Sequence, residues 1–363
     1  MTESDILKAL SHVQEPDLGK DLVTLNMVKD IEIDGNNVHF TIVLTTPACP
    51  LKEMIRKDSE NAIHTYVKKD AQVQIHFNAD TTTNRKDMLQ LLSGVKNIIA
   101  VVSGKGGVGK STVAANLVLA LAEGGAKVGL MDADIYGPSV PIMFGVRGQR
   151  PMMREINGKG VIVPLEKYQI KLMSIGLLVD EKNAVVWRGP MASSAIKQFV
   201  TEVDWGELDY LVIDMPPGTG DIHLTLMQTV PVTGVVIVTT PQPVALADAK
   251  KGIAMFGQAQ INVPIIGLVE NMAYFIPAEL PYNKYYLFGK EGGKKLAEEY
   301  ELPFLGQIPI VQSIREGGDA GVPAMVGEDV ISQEAFRNMT NLAIRNIAIR
   351  NAGSIQQPAT SLA

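Results

Sequence analysis

The densest chemical signal is a glycine-rich loop. An apolar run, Ile98–Val102, leads directly into Ser103-Gly104-Lys105-Gly106-Gly107-Val108-Gly109-Lys110-Ser111-Thr112, and small and apolar residues follow at helix length. This fits G-x-x-x-x-G-K-[ST] in the strand–loop–helix setting that the motif requires. Glycines here let successive backbone N–H groups curl around phosphate oxygens at the positive end of the following helix. Lys110 is placed to reach the β- and γ-phosphates of a nucleotide, and the Ser111 hydroxyl to ligate Mg²⁺. The plainer alternative is a glycine-rich turn with a chance lysine, and the surrounding pattern weighs against it. Lys105 is a second lysine that a phosphate loop does not need; taken alone it reads as a solvated charge.

Two further apolar runs end in carboxylates. Val128–Met131 is followed by Asp132-Ala133-Asp134, and Tyr210–Ile213 by Asp214-Met215-Pro216-Pro217-Gly218-Thr219-Gly220-Asp221. The carboxyl ends of strands are where an open α/β sheet binds its ligand. An aspartate closing an apolar strand matches a Walker B strand, so Asp214 is expected to bind Mg²⁺ through water. Gly218 is a natural backbone contact for a γ-phosphate and a hinge for a loop that senses it. Either aspartate alone reads equally well as a helix N-cap; two of them after a phosphate loop do not.

Other candidates are weaker on their own. Asn271, after the run Ile265–Val269, reads as a turn residue. Cys49 lies between a strand and Pro50, near the expected start of a helix, which would favour thiolate. The alternative is a buried cysteine acting as a small hydrophobe. His12, His39, His64, His76 and His223 show no metal-ligand spacing, and His223 is expected to pack rather than catalyse. The 16 methionines read as core gap-fillers.

The elements that must position these residues fall into two units. Residues 1–80 read as a small α+β domain: a helix on Ile6, Leu7, Leu10 and Val13, a hairpin through Asp34-Gly35-Asn36-Asn37, a helix after Pro50, and a strand at Val73, Ile75 and Phe77. Val38, Phe40, Ile42 and Leu44 alternate as a half-buried strand. Residues 81–95 form a linker, polar at Thr81–Lys86, with a short docking helix at Met88–Leu92. From residue 96 to 350 the strands are apolar throughout and separated by helix-length segments, so both their faces are buried. That predicts a doubly wound, mostly parallel sheet in a P-loop NTPase domain. Phe336, Met339, Ala343, Ile344 and Ile347 make the stripe of a closing helix, and residues 351–363 are a polar tail expected to be flexible.

Composition narrows the function classes. The chain has 363 residues and a formal net charge of −6, and residues 1–80 carry 13 acidic against 8 basic side chains. That argues against general nucleic-acid binding, which needs a basic face. No apolar run approaches the ~20 residues that span a bilayer. The N-terminus is acidic where a signal peptide is basic, so a cytoplasmic protein is expected. The lone cysteine excludes an intramolecular disulfide framework and a site built from several thiolates of one chain.

With Lys105, the loop resembles the deviant Walker A motif, K-G-G-x-G-K-[ST], of the dimeric ATPases that include MinD, the ParA partition proteins and the nitrogenase iron protein. Trp187-Arg188-Gly189-Pro190-Met191, Asp214–Asp221 and Ile314-Arg315-Glu316-Gly317-Gly318-Asp319 look like the Mrp/ApbC family of iron–sulfur cluster carrier ATPases. Thr45-Thr46-Pro47-Ala48-Cys49-Pro50 resembles the small N-terminal domain of bacterial members. The resemblance spans roughly residues 4–350.

It implies an ATP-hydrolysing homodimer in which Lys105 reaches the phosphates of the other subunit, a charge supplied in trans. It places Asp132 in the Mg²⁺ shell with Ser111 and Asp214, Asp134 beside the attacking water, and Asn271 on the adenine. Pro309, in Gly306-Gln307-Ile308-Pro309-Ile310, would wall the base, with Val311 where an aspartate is common. The expected nucleotide set is therefore Gly104–Thr112, Gly218, Asn271 and Pro309, with Lys105, Lys110 and Asp134 catalytic. The work implied is iron–sulfur cluster transfer to apoproteins, with assembly factors as further partners and neither nucleic acid nor membrane.

The chain departs from the family at one point. A C-x-x-C usually follows the Asn-Met, but Pro277 and Leu280 stand there, and neither can ligate iron. A cluster takes four thiolates, whereas a homodimer offers two from Cys49. One alternative is thus a scaffold or chaperone using the same switch without holding a cluster. A partition or positioning ATPase is another, opposed by the acidic first unit and the weakly basic C-terminal helix. The cysteine count excludes a nitrogenase-type electron donor.

Overall fold

The computed structural model describes residues 1–44, 48–79, 92–135, 137–156, 158–178, 189–258, 261, 263–277, 279–280 and 282–355. The linker Thr81–Lys86, most of the expected docking helix, Trp187, Arg188 and residues 356–363 lie outside them. The chain divides into two compact units, residues 1–84 with 348–363, and residues 85–347.

In the first unit, Thr2 caps helix α1 (Glu3–Leu10) through a capping box with Asp5. Two short strands, β1 (Gln14–Glu15) and β2 (Lys20–Asp21), pair antiparallel. The hairpin β3 (Val28–Asp34) and β4 (Asn37–Leu44) turns at Gly35, whose φ of +58° suits glycine. Helix α2 (Lys52–Tyr66) carries the chain to β5 (Gln72–Ala79), which lies parallel to β4. The alternating residues Val38, Phe40, Ile42 and Leu44 enter a core with Ile6, Leu10, Ile55 and Ile63.

The second unit holds the sheet that positions the site. Its elements are β6 (Val95–Val102), α3 (Lys110–Glu123), β7 (Val128–Asp132), α4 (Val140–Met143), the hairpin β8 (Met152–Ile156) and β9 (Lys159–Val163), β10 (Leu165–Lys167), β11 (Ile170–Ser174), α5 (Gly189–Thr201), β12 (Leu208–Asp214), α6 (Asp221–Thr229), β13 (Gly234–Thr239), α7 (Pro243–Phe256), β14 (Ile265–Glu270), α8 (Gly292–Glu299), β15 (Phe304–Gln307), α9 (Gln312–Ala320) and α10 (Val330–Ile355) as far as residue 347. Eight strands form one sheet in the order β10-β11-β7-β12-β6-β13-β14-β15, all parallel except β10 on β11. Residues of β7, β12 and β13 are buried along their whole length, which explains their unbroken apolar runs. Helix α3 is sheathed as fully, with Val113 to Leu121 buried, each large aliphatic contributing roughly 1.5–3 kcal/mol.

Three details differ from the sequence expectations. The hairpin β8–β9, the edge strand β10 and its neighbour β11 show no clear pattern in the sequence. Met152 and Met153, expected in the core, are 72% and 65% exposed on that hairpin. Helix α10 buries the stripe Phe336, Met339, Ala343, Ile344 and Ile347 as expected but runs to Ile355, five residues into the expected tail.

Candidate functional site

Register brings the polar residues together. Across β11, β7 and β12, Ser174 pairs with Asp132 and Asp132 with Asp214, so three adjacent strands end in a row of polar side chains. Asp214 in turn pairs with Val101 on β6, immediately before the glycine loop.

The loop turns from β6 into α3 with Gly107 and Gly109 both at φ +81°. A methyl group on Gly109 would also meet the Asn271 amide at 2.1 Å, so that position is strained and crowded at once. Gly104 is needed for a different reason: its Cβ would fall 2.2 Å from the Asp248 carbonyl, where α7 approaches closely. The Ser103 hydroxyl donates to the Lys105 carbonyl at 2.9 Å, and the Gly218 N–H donates to the Ser103 carbonyl at 2.9 Å. The loop after β12 is therefore latched to the phosphate loop.

Lys110 is buried, 6% exposed, and its Nζ lies 2.5 Å from Asp214 Oδ1 and 3.6 Å from Asp134 Oδ2. Its own neighbour Ser111 is 3.3 Å away at Oγ. Asp132 is fully buried; its Oδ2 accepts from the Ser174 hydroxyl at 2.9 Å and its Oδ1 from the Asp134 N–H at 3.1 Å. Burial, and then the neighbouring Asp214 charge, push the Asp132 carboxyl up to about 8. Asp134 is also raised, chiefly by burial, against the pull of Lys110.

These groups fit Mg²⁺. Asp214 Oδ2 is buried without a hydrogen-bond partner, and crowding of two carboxylates is what a divalent cation relieves. Among the described residues, no three His, Cys, Asp or Glu side chains form a ready-made cage. Mg²⁺ commonly shares its shell between one or two carboxylates, phosphates and water.

Beside these groups opens a cavity of about 780 Å³, within the range that takes a small ligand. Gly106, Gly107, Gly109, Lys110, Ser111 and Thr112 line one end with Asp134. Asn271, Met272, Leu287, Phe288, Pro309, Ile310 and Val311 form a largely apolar wall, and Arg315 and Asp319 of α9 complete it. Of the expected nucleotide set, Gly104, Lys105, Val108 and Gly218 do not line this cavity. Asn271 does, while its amide also donates to the Val108 carbonyl at 2.8 Å and so braces the loop. Lys105 is half-buried and has no ion pair among the described residues.

Cys49 follows the second of its two readings, the small hydrophobe. It packs against the core of the first unit, and although the backbone N–H of Leu51, the N-cap of α2, bears on the sulfur, it does not outweigh that burial. Burial pushes its thiol up to about 11, the opposite of thiolate character. Pro277 is half-buried and Leu280 49% exposed, so the family's cysteine positions present hydrocarbon here. His223 is buried, as expected, and burial lowers its pKa.

Sequence reasoning missed Ser174, because no motif marks a serine whose partner is set by strand register. It also missed Glu270, whose buried carboxylate accepts from the Gly293 N–H at the start of α8 and from Gln307.

A parallel sheet with a lysine-bearing glycine loop, facing aspartates on the next two strands, defines a P-loop nucleoside triphosphatase. Residues 94–344 match the family described as NUBPL iron-transfer P-loop NTPase, and residues 3–76 match the iron–sulfur cluster assembly protein family. The iron–sulfur cluster carrier protein of Synechocystis is 50% identical over 329 residues, covering 90% of this chain and 92% of the relative. That of Deinococcus radiodurans is 44% identical over 353 residues, covering 97% of each. Among solved structures, a nucleotide-binding protein from Archaeoglobus fulgidus in complex with ADP is 39% identical with a TM-score of 0.58, over 67% of this chain and 94% of that one. The chain belongs to the NUBPL-type iron-transfer P-loop NTPases, among the iron–sulfur cluster carrier proteins.

Proposed function

We propose that this chain is a cytoplasmic, Mg²⁺-dependent ATPase that works as a nucleotide-switched homodimer and delivers iron–sulfur clusters to apoproteins. The observation that carries it is the burial of Lys110 between Asp214 and Asp134 at the mouth of the glycine loop. Without nucleotide the ammonium neutralises the two carboxylates. When phosphates enter the loop, Lys110 turns to them and both carboxylates are released for other work.

Mg²⁺ would be held by the Ser111 hydroxyl and, through water, by Asp214 and Asp132, and it would supply positive charge against the phosphates. Asp134 is set to orient the attacking water, its raised pKa suiting it to take up a proton as the water attacks. The Gly218 N–H would leave the Ser103 carbonyl for the γ-phosphate, so the latch between the two loops opens when ATP is present. The base would lie against Asn271 and Pro309. Lys105, absent from the wall of its own cavity, is free to reach the phosphates of a second copy and make turnover depend on pairing.

The cluster is cargo. With Pro277 and Leu280 in place of cysteines and Cys49 half-buried with its thiol pushed up to about 11, these observations favour a second reading for that step, a scaffold that binds clients and assembly factors without holding the cluster. Anaerobic reconstitution with iron and sulfide separates the two, on wild type and Cys49→Ala, reading bound iron per dimer and transfer to an apo-ferredoxin. Bound iron that Cys49→Ala loses supports carriage through the first unit. ATP hydrolysis with no bound iron in either supports the scaffold. No nucleotide binding at all would remove both.

A further inference from the structure

Glu270 is a buried carboxylate that takes no part in phosphate or Mg²⁺ binding. It closes β14 with none of its surface exposed, and two donors meet it. The Gly293 N–H, in the first turn of α8, donates to Oε2, and the Gln307 amide at the end of β15 donates to Oε1 at 2.7 Å. A carboxylate held by two N–H groups, one of them at the positive end of a helix, is firmly placed. The chain is shaped to bring them together. A Cβ on Gly293 would fall 3.0 Å from Cβ and Oε2 of Glu270, and one on Gly292 would fall 2.6 Å from the Pro241 carbonyl oxygen, so the paired glycines let α8 start this close. Glu291, just before them, turns the chain at φ +58°, a conformation that side chains rarely adopt.

Each partner in this arrangement adjoins a different part of the cavity's apolar wall. Asn271 and Met272 follow Glu270 directly, Pro309 and Ile310 come just after Gln307, and Leu287 and Phe288 come shortly before Gly293. Backbone bonds zip the first two segments together: the Ile308 N–H donates to the Glu270 carbonyl at 2.9 Å, and the Ala273 N–H to the Ile308 carbonyl at 3.0 Å. Leu287 and Phe288 lie between two ties, the paired backbone bonds of Tyr285 with Phe275 and the bond from Gly293 to Glu270. One side chain thus joins three segments of wall.

We propose that Glu270 is a positioning residue for the nucleotide base: by holding the three segments in register it sets how tightly the cavity grips the base and how well it tells adenine from guanine. The inference rests on the reading that the base lies against Asn271 and Pro309. The Asn271 amide already gives one N–H to the Val108 carbonyl, which leaves its oxygen to accept from the adenine N6 amino group; guanine presents an oxygen at that position. Such discrimination lasts only while the amide is held still.

Calorimetric titration of the full-length protein with ATP, GTP and inorganic tripolyphosphate, each with Mg²⁺, tests this. Wild type should prefer ATP to GTP by about tenfold or more. Glu270→Ala should weaken ATP about tenfold, narrow the preference over GTP, and leave tripolyphosphate within about twofold, since the glycine loop is untouched. Glu270→Gln should restore ATP binding, its amide oxygen accepting from Gly293 and its NH₂ donating to Gln307 once that amide turns over. Gln307→Ala, at a half-buried position, should weaken ATP about threefold and carries the same comparison if Glu270→Ala does not fold. Equal loss of ATP and tripolyphosphate would make Glu270 a brace for the fold at large and overturn the proposal. So would ATP affinity unchanged in both alanine variants while wild type still prefers ATP. A wild type that binds ATP no better than tripolyphosphate would remove the base pocket itself, and overturn the underlying reading along with the inference.

Discussion

Lys110 Nζ lies 2.5 Å from Asp214 Oδ1, and both groups are cut off from water, at 6% and 0% side-chain exposure. An ammonium and a carboxylate buried at that distance hold each other in place, and each becomes a liability when the other is removed. The glycine loop and the second strand are thereby coupled before any nucleotide arrives.

The first prediction concerns that pair. Lys110→Ala strands Asp214 and Asp134 without a cation, at a cost of about 3–5 kcal/mol if the carboxylates stay charged, less as they take up protons. It also removes a charged donor to phosphate, so affinity for a fluorescent ATP analogue should fall by on the order of 100-fold. Denaturant unfolding and equilibrium fluorescence measure the two effects. An unchanged affinity would mean the loop does not cradle phosphates through Lys110.

Asp132 makes the protein pH-sensitive. Its carboxyl is raised from 3.8 to about 8, so the folded state binds a proton the unfolded chain releases. The stabilising contribution is complete below about pH 4 and is lost as pH rises through about 8. Thermal unfolding without Mg²⁺ should show wild type losing stability between about pH 4 and 8, and levelling off above that, relative to Asp132→Asn, which carries the neutral form permanently. Parallel curves for the two proteins would contradict this.

The same proton should appear on binding. At pH 7 Asp132 is mostly protonated, and Mg²⁺ with ATP favours the charged form. Close to one proton per site should therefore be released, and close to none at pH 9. Calorimetric titration in two buffers of different ionisation enthalpy reads that number. Ser174→Ala, which removes the hydroxyl donating to Asp132 Oδ2, should raise the Mg²⁺ concentration needed for tight nucleotide binding several-fold. Ser174→Thr should restore it.

Cys49 offers a check on the cargo question. With its thiol at about 11, the thiolate fraction at pH 7.5 is on the order of 1 in 3,000, against about 1 in 10 for an ordinary cysteine. Iodoacetamide should label it roughly a hundredfold more slowly in the folded protein than in denaturant. Rapid labelling of the folded chain would return Cys49 to the list of usable ligands.

How much of this was legible in the sequence depends on how local its cause is. Strands β6, β7, β12, β13 and β14 showed because both their faces are buried, and the glycine loop because its conformation admits few residues. Asp132 and Asp214 showed because each ends such a strand. Ser174 did not: its meaning lies in pairing with Asp132 across two strands that are 42 residues apart in sequence. Cys49 stood between two readings because burial against the first unit's core, which no local pattern reports, is what outweighs its nearness to α2. Gly104 showed as part of the glycine loop, whereas the approach of α7, which also demands a glycine there, left no mark in the local sequence.

The central claim is that each ATP is served by Lys110 of its own chain and Lys105 of a partner. Its most direct test is to mix two inactive variants, Lys105→Ala and Lys110→Ala, and measure ATP hydrolysis. In a symmetric dimer, random exchange makes half the dimers mixed, each with one site holding both lysines, so activity should return to about a quarter of wild type. Activity no higher than that of either variant alone would contradict the account.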